Sequence, residues 1–231
     1  MSVIEKIKQS HPKYPVKIPS TGENTFFRPF LMKEQKNLLL AQEENKNFAT
    51  LKAITSVVED CVDSVESALT IPMQDLEYLF CQIRAKSVSE IAEPSFTCPV
   101  TGESIKTGVN LEEVKITKDT SKSEIKIKDN ITIHLRHPVV QDFFVSGTEN
   151  LEDQLISQCI SKIVVDDEVY EGKNIEQQEK LEILESLTKA QYDKVLNFFE
   201  KQPTVYHDVK YRTTDGVIRT LKLSGVYDFF G

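Results

Sequence analysis

The sequence predicts an α+β fold, a mainly helical core carrying two β-hairpin (knuckle-like) modules. Apolar residues recur at helical spacing between residues 33 and 86, then alternate at period two around residues 125–135. Helical spacing returns between residues 151 and 199, and a second two-stranded pattern follows residue 204. Helices, strands, helices, strands is the order of a segregated α+β chain, not of repeating βαβ units. A single domain over 1–231 is expected. Its parts would be a helical part at 1–92, a hairpin module at 93–146, a helical part at 147–203 and a C-terminal hairpin at 204–231.

In chain order, the three prolines and the glycine of HPKYPVKIPSTGEN read as an extended arm or loop. Thr25–Phe30 is expected to be extended, because Pro29 biases Arg28 away from helix. Lys33–Glu44 reads as helix. Leu51, Ile54, Val58, Cys61, Val62 and Val65 form the apolar face of a helix within 47–66. The next helix starts near Pro72, which suits a first turn. Its inner stripe is Leu76, Leu79, Phe80 and Ile83, and Arg84 and Lys86 stand at its end, where cations suit the dipole. Ile125 and Ile127 alternate with lysines, Asp129-Asn130 is a tight turn, and Ile131, Ile133 and Leu135 alternate again. Thr148 is a helix cap ahead of Glu149, Glu152 and Asp153. IVVDDEVYEG reads as a short hairpin or loop. Thr188 and Gln191 fit a capping box, Leu187 and Tyr192 a hydrophobic staple, and Pro203 a stop. Beyond it lie two strands turned at Asp215-Gly216. The segments 98–111 and 212–225 echo each other, each with a turn, a basic residue, a threonine and a following apolar position.

Lys plus Arg number 28 against 36 Asp plus Glu, a net charge of −8. That argues against general nucleic-acid binding, which needs a basic face. No run approaches a membrane span, and the first residues lack the apolar stretch and cleavage site of a signal peptide. The four cysteines, Cys61, Cys81, Cys98 and Cys159, are widely spaced and read as free thiols.

Candidate chemistry is thin. Cys98-Pro-Val-Thr101-Gly102 has the shape of half a zinc knuckle, but a knuckle needs two thiolates two residues apart, and Thr101 is a poor ligand. Cys98 with His134, His137 or His207 would be an improvised set. His134 and Arg136 share one strand face, a pattern more common as a polar strand end than as a catalytic pair. Asp166, Asp167 and Glu168 could hold a hard cation, yet such runs are usually solvated loops. Arg84 and Lys86 could face a partner's acid, with a solvated helix end as the plainer reading. No Walker loop, Gly-x-Ser-x-Gly or His-Glu-x-x-His occurs. No cofactor, metal or catalytic residue is therefore expected. The aromatic segments stand out instead. Phe26, Phe27, Arg28 and Phe30, and the terminal Phe229 and Phe230, must be covered either by the chain's own core or by a partner, since aromatics and Arg are enriched at interfaces.

Five blocks together resemble one family: FFRPFLMKEQKNLLLAQE (26–43), LFCQIRAKSVSE (79–90), FTCPVTGE (96–103), ITIHLRHP (131–138), and SLTKAQYDKVLNFFEKQPTVYHDVKY with LSGVYDFF (186–211 and 223–230). They are similar to the baseplate proteins of T-even-type contractile-tailed phages, a family that includes the baseplate hub subunit and a hub assembly factor. The resemblance spans nearly the whole chain. It implies a non-enzymatic tail protein that acts by contacts with other hub or tail proteins, in the host cytoplasm during assembly or in the virion baseplate. Relatives with Cys-x-x-Cys at the 98–101 turn would hold zinc there, and Thr101 departs from that pattern. A metal- or nucleic-acid-binding adaptor built on degenerate knuckles is the alternative reading.

Overall fold

A computed structural model describes residues 10–44, 47–144 and 151–230. They form α+β structure, with seven α-helices and thirteen short strands in small antiparallel sheets among the described residues. The chain divides into two compact units. One runs to Thr117 and resumes at Thr204, and the other is Lys118–Pro203.

The first unit opens with a hairpin of β1 (Tyr14–Lys17) and β2 (Asn24–Phe27), in which Tyr14 faces Phe27 and Lys17 faces Asn24. Its loop is anchored by Ser20, whose backbone N–H and hydroxyl both donate to the Asp75 carboxylate. After Pro29 the chain turns into α1 (Met32–Glu43). Glu34 organises that entry by accepting from the Leu31 N–H at 2.8 Å and from Arg28 Nη2 at 2.9 Å. Burial pushes the Glu34 carboxyl upward, but these two donors outweigh it and hold the group below its ordinary value. Helices α2 (Asn47–Cys61) and α3 (Met73–Ser87) follow, close to their expected spans. Val57, Val58 and Cys61 of α2 and Leu76, Leu79 and Ile83 of α3 are almost fully buried. The stripe read from helical spacing is thus the core of this unit.

After α3 the strands are very short. β3 (Ile91–Ala92) pairs with β6 (Val109–Asn110), and β4 (Ser95–Thr97) with β5 (Ser104–Lys106). β7 (Lys115–Ile116) joins a three-stranded sheet with β12 (Val205–Arg212) and β13 (Ile218–Ser224). Where the chain leaves and re-enters this unit, the Thr117 N–H donates to the Thr204 carbonyl at 3.0 Å, and the Thr204 N–H donates to Thr117 Oγ1 at 2.9 Å. The last described residues are not a frayed strand end. Gly225 adopts φ +76°, a left-handed conformation that favours glycine, and turns β13 into helix α7 (Gly225–Phe230). The Asp228 carboxylate accepts the Ser224 N–H at 2.7 Å and helps to secure that turn.

The second unit is a four-stranded meander in the order β11-β10-β9-β8, covered by helices. β8 (Glu124–Lys128) and β9 (Ile131–Leu135) form the expected hairpin about Asp129 and Asn130. β10 (Ile160–Val165) and β11 (Glu168–Glu171) are joined by Asp166 and Asp167 at φ +48° and +69°, the signs that a two-residue type I′ turn demands. The Asp166 carboxylate accepts from Asn130 Nδ2 at 2.8 Å. Helices α4 (Leu151–Gln158), α5 (Gln177–Glu185) and α6 (Lys189–Glu200) supply the rest. The Thr148 cap lies outside the described residues. At the start of α6 the Gln191 side-chain oxygen accepts the Thr188 N–H at 2.8 Å, half of the capping box, and Leu187 and Tyr192 pack on the core beneath. That core joins Ile125, Ile133 and Ile163 of the sheet to Ile156, Leu184, Val195 and Phe198 of the helices. Sheet and helices therefore share this interior, where a mainly helical core was expected.

Arg136 and His137 serve this unit's architecture. Arg136 forks onto Asp142 with bonds of 2.7 and 2.9 Å, and Asp142 also accepts the Val139 N–H at 2.8 Å. The Asp142 side chain is 4% exposed, so truncating it strands a half-buried cation and an N–H together. Asp142→Ala is expected to lower this unit's stability by about 3 kcal/mol, read as a fall in denaturant midpoint at unchanged m-value. The ring of His137 packs edge-on against Phe198 at 5.1 Å.

Candidate functional site

Helix α3 sets Phe80 and Arg84 one turn apart, so both side chains lie on one face. Helix α7 lays Phe230 across them. The Phe80 and Phe230 rings meet edge to face at 5.6 Å, and the Arg84 guanidinium carbon stands 4.6 Å from the Phe230 centroid. Next to them a groove of about 580 Å³ opens, lined among others by Phe30, Leu39, Phe80, Arg84, Tyr227 and Phe230. Phe30 is held there because its N–H donates to Ser87 Oγ at 2.9 Å, at the end of α3. The rim is apolar yet open, since Leu39 and Val88 are more than half exposed.

The structure thus brings the two aromatic segments singled out in the sequence to one place, at Phe30 and Phe230. The other candidates divide. Phe27 is 3% exposed and packs on Tyr14 with centroids 5.7 Å apart, and Phe229 is 1% exposed. Both rings are buried, and Phe229 is among the residues lining the groove. Phe26 is half exposed on β2 and is not among the residues lining the groove. Arg28 is bound to Glu34. For Arg84 the sequence leaves two readings, a side chain facing a partner's acid and, more plainly, a solvated helix end. Its position four residues after Phe80 was the available signal that it shares the apolar stripe.

Glu77 marks the other side of the α3–α7 contact. Its carboxylate accepts the Val226 N–H at 3.3 Å. Burial, with Asp228 nearby, pushes its pKa up to about 7 against the lowering effect of that bond.

The two turns that echo each other in sequence also meet. Gly102, at φ +72°, closes the Cys98–Gly102 turn, and Gly216, at φ +79°, closes the Thr213–Gly216 turn. Glu103 accepts from both the Thr214 N–H, at 3.0 Å, and the Thr214 hydroxyl, at 2.6 Å. Arg219 forks onto Asp215 at 2.9 and 2.6 Å. The Tyr211 hydroxyl donates to Cys98 Sγ at 3.3 Å. Burial raises the Cys98 thiol, but the Thr101 and Tyr211 hydroxyls and the backbone N–H groups of Thr101 and Val100 outweigh it and bring the pKa down to about 7. Hydrogen bonds therefore join these turns, and the Asp215–Arg219 ion pair lies within the hairpin that carries the second of them. Burial, with nearby carboxylates adding to it and an arginine opposing it in each case, pushes the Cys61 and Cys159 thiols up to about 12. Among the described residues no group of three or more His, Cys, Asp and Glu side chains could hold a metal ion. Among them, too, no helix is long and apolar enough to cross a membrane.

Among the described residues these features define an open, mainly apolar groove beside the α3–α7 contact. The chain belongs to the family of the T4 bacteriophage base plate protein, whose family model matches residues 11–231. No curated protein matches the chain, and no solved structure does. Family membership makes it a T4-type phage baseplate protein, with a structural role among the proteins of the phage tail.

Proposed function

We propose that the chain is a non-enzymatic component of the baseplate hub, either a hub subunit or a hub assembly factor, and that it works through protein–protein contacts while the tail is built in the host cytoplasm. One observation carries this reading. Phe30 and Phe230, far apart in sequence, line the same open apolar groove in a chain of baseplate ancestry. Apolar rims around an aromatic and an Arg are the composition of energetic anchors at interfaces. Because α7 is a helix fixed to α3, Phe230 is presented rigidly, which lowers the ordering cost of association. Phe26 is a second, separate contact point on this reading.

Quantitative mass spectrometry of purified virions tests the assignment. A fixed copy number in intact tails identifies a hub subunit. Presence in tail intermediates and absence from virions identifies an assembly factor. Absence from both, in cells that express the chain, contradicts the proposal.

A further inference from the structure

The groove also carries information about the chemistry of its occupant. The Arg84 side chain makes no hydrogen bond and no ion pair among the described residues, and its Nη1 is shielded from solvent without a hydrogen-bond partner. Every other charged group lining the groove is answered, because Glu93 is paired with Lys106 at 2.8 Å. Its remaining lining is neutral. A desolvated donor with no acceptor is costly to leave, and stacking on Phe230 satisfies the guanidinium's charge only in part and its N–H groups not at all. Arginine presents a planar fork that matches a carboxylate in two parallel bonds, and such charge-assisted pairs strengthen when water is excluded.

We propose that the groove receives an amphipathic segment of another baseplate protein that presents one acidic side chain, Glu or Asp, among large apolar residues. The carboxylate takes the Arg84 donors that are not shielded from solvent, Nε and Nη2, while the apolar neighbours cover Leu39, Val88 and the ring of Phe230. A side-chain carboxylate fits better than a backbone carbonyl, because it brings a negative charge to an unpaired cation. This inference rests on the contact reading above and adds its specificity, positive inside and apolar around.

The test is selection of a randomised short-peptide display library against the full chain and against Arg84→Gln, a variant that keeps hydrogen-bonding capacity and most of the side-chain volume. Circular dichroism and thermal melting first establish that the variant is folded. Peptides enriched on the natural chain are expected to carry Glu or Asp flanked by Leu, Phe, Ile or Met, with the acid losing its enrichment on Arg84→Gln. A synthetic winner is expected to bind the natural chain roughly tenfold or more tighter than its Glu→Gln counterpart. Peptides without acid enrichment, or with the same enrichment on both proteins, overturn the inference. So does concentration-dependent self-association of the natural chain that Arg84→Gln abolishes, since the occupant is then a second copy. None of these results changes the virion measurement, so failure here leaves the broader contact reading to its own test.

Discussion

Phe229→Ala is expected to lower the stability of the first unit by about 4 kcal/mol, the scale for deleting a buried phenyl ring. The ring is 1% exposed, and the helix that carries it has only six residues. Such a short helix is not stable by itself and stays folded through its packing. Removing the ring should therefore free α7 as a whole, with hydrogen-exchange protection lost across 225–230 first. Phe230→Ala, one residue away, is expected to cost about 1–2 kcal/mol, since that ring is only partly covered, and to act chiefly on partner binding. Equal losses of stability for the two variants would mean that Phe230 is core as well, and the groove would then lose its anchor.

Glu77→Gln is expected to stabilise the protein, and only on the alkaline side. The folded pKa of Glu77 is raised to about 7 from an ordinary 4.5, so between these values the folded state holds a proton that the unfolded chain releases. Stability therefore falls as pH climbs through this window, and the cost is fully present above pH 7. The shift corresponds to about 3 kcal/mol at pH 8. Gln keeps an oxygen for the Val226 N–H without the buried charge. Denaturant midpoints of the two proteins should nearly coincide at pH 4.5 and separate in favour of Gln by pH 8. A natural protein more stable than Glu77→Gln at pH 8 would mean that the carboxylate is better solvated or better paired than its burial indicates.

Elements whose signal is local were legible in the sequence. The stripe of α3, the Thr188 and Gln191 start of α6 and the Asp129-Asn130 turn each depend on residues within a few positions, and spacing or side-chain chemistry reveals them. Elements made by distant pairing were not. β3, β6 and β7 have two residues each, too few to display any period. The division of the chain at Thr117 and Thr204 depends on β7 pairing with β12 across 118–203, which no local pattern announces. GVYDFF was opaque for another reason. Aromatic and β-branched residues favour strand, and its helix exists because Gly225 turns the chain and Phe229 has a cavity to fill. At the site, the aromatic residues were visible as candidates, but neither the burial of Phe27 and Phe229 nor the meeting of Phe30 with Phe230 could be read before the chain was folded. Arg84 illustrates the same limit. A cation in a last helical turn is usually solvated, and here α7 covers it with Phe230.

On the proposed function, this protein serves the baseplate through contacts made by its groove. Complementation of a phage lacking this chain measures that most directly, with the natural protein compared against a Phe30→Ala, Phe230→Ala double variant shown to be folded and expressed at the same level. The natural chain should restore complete baseplates and infectious particles, and the folded double variant should leave unassembled tail intermediates. Full complementation by the double variant would contradict the account.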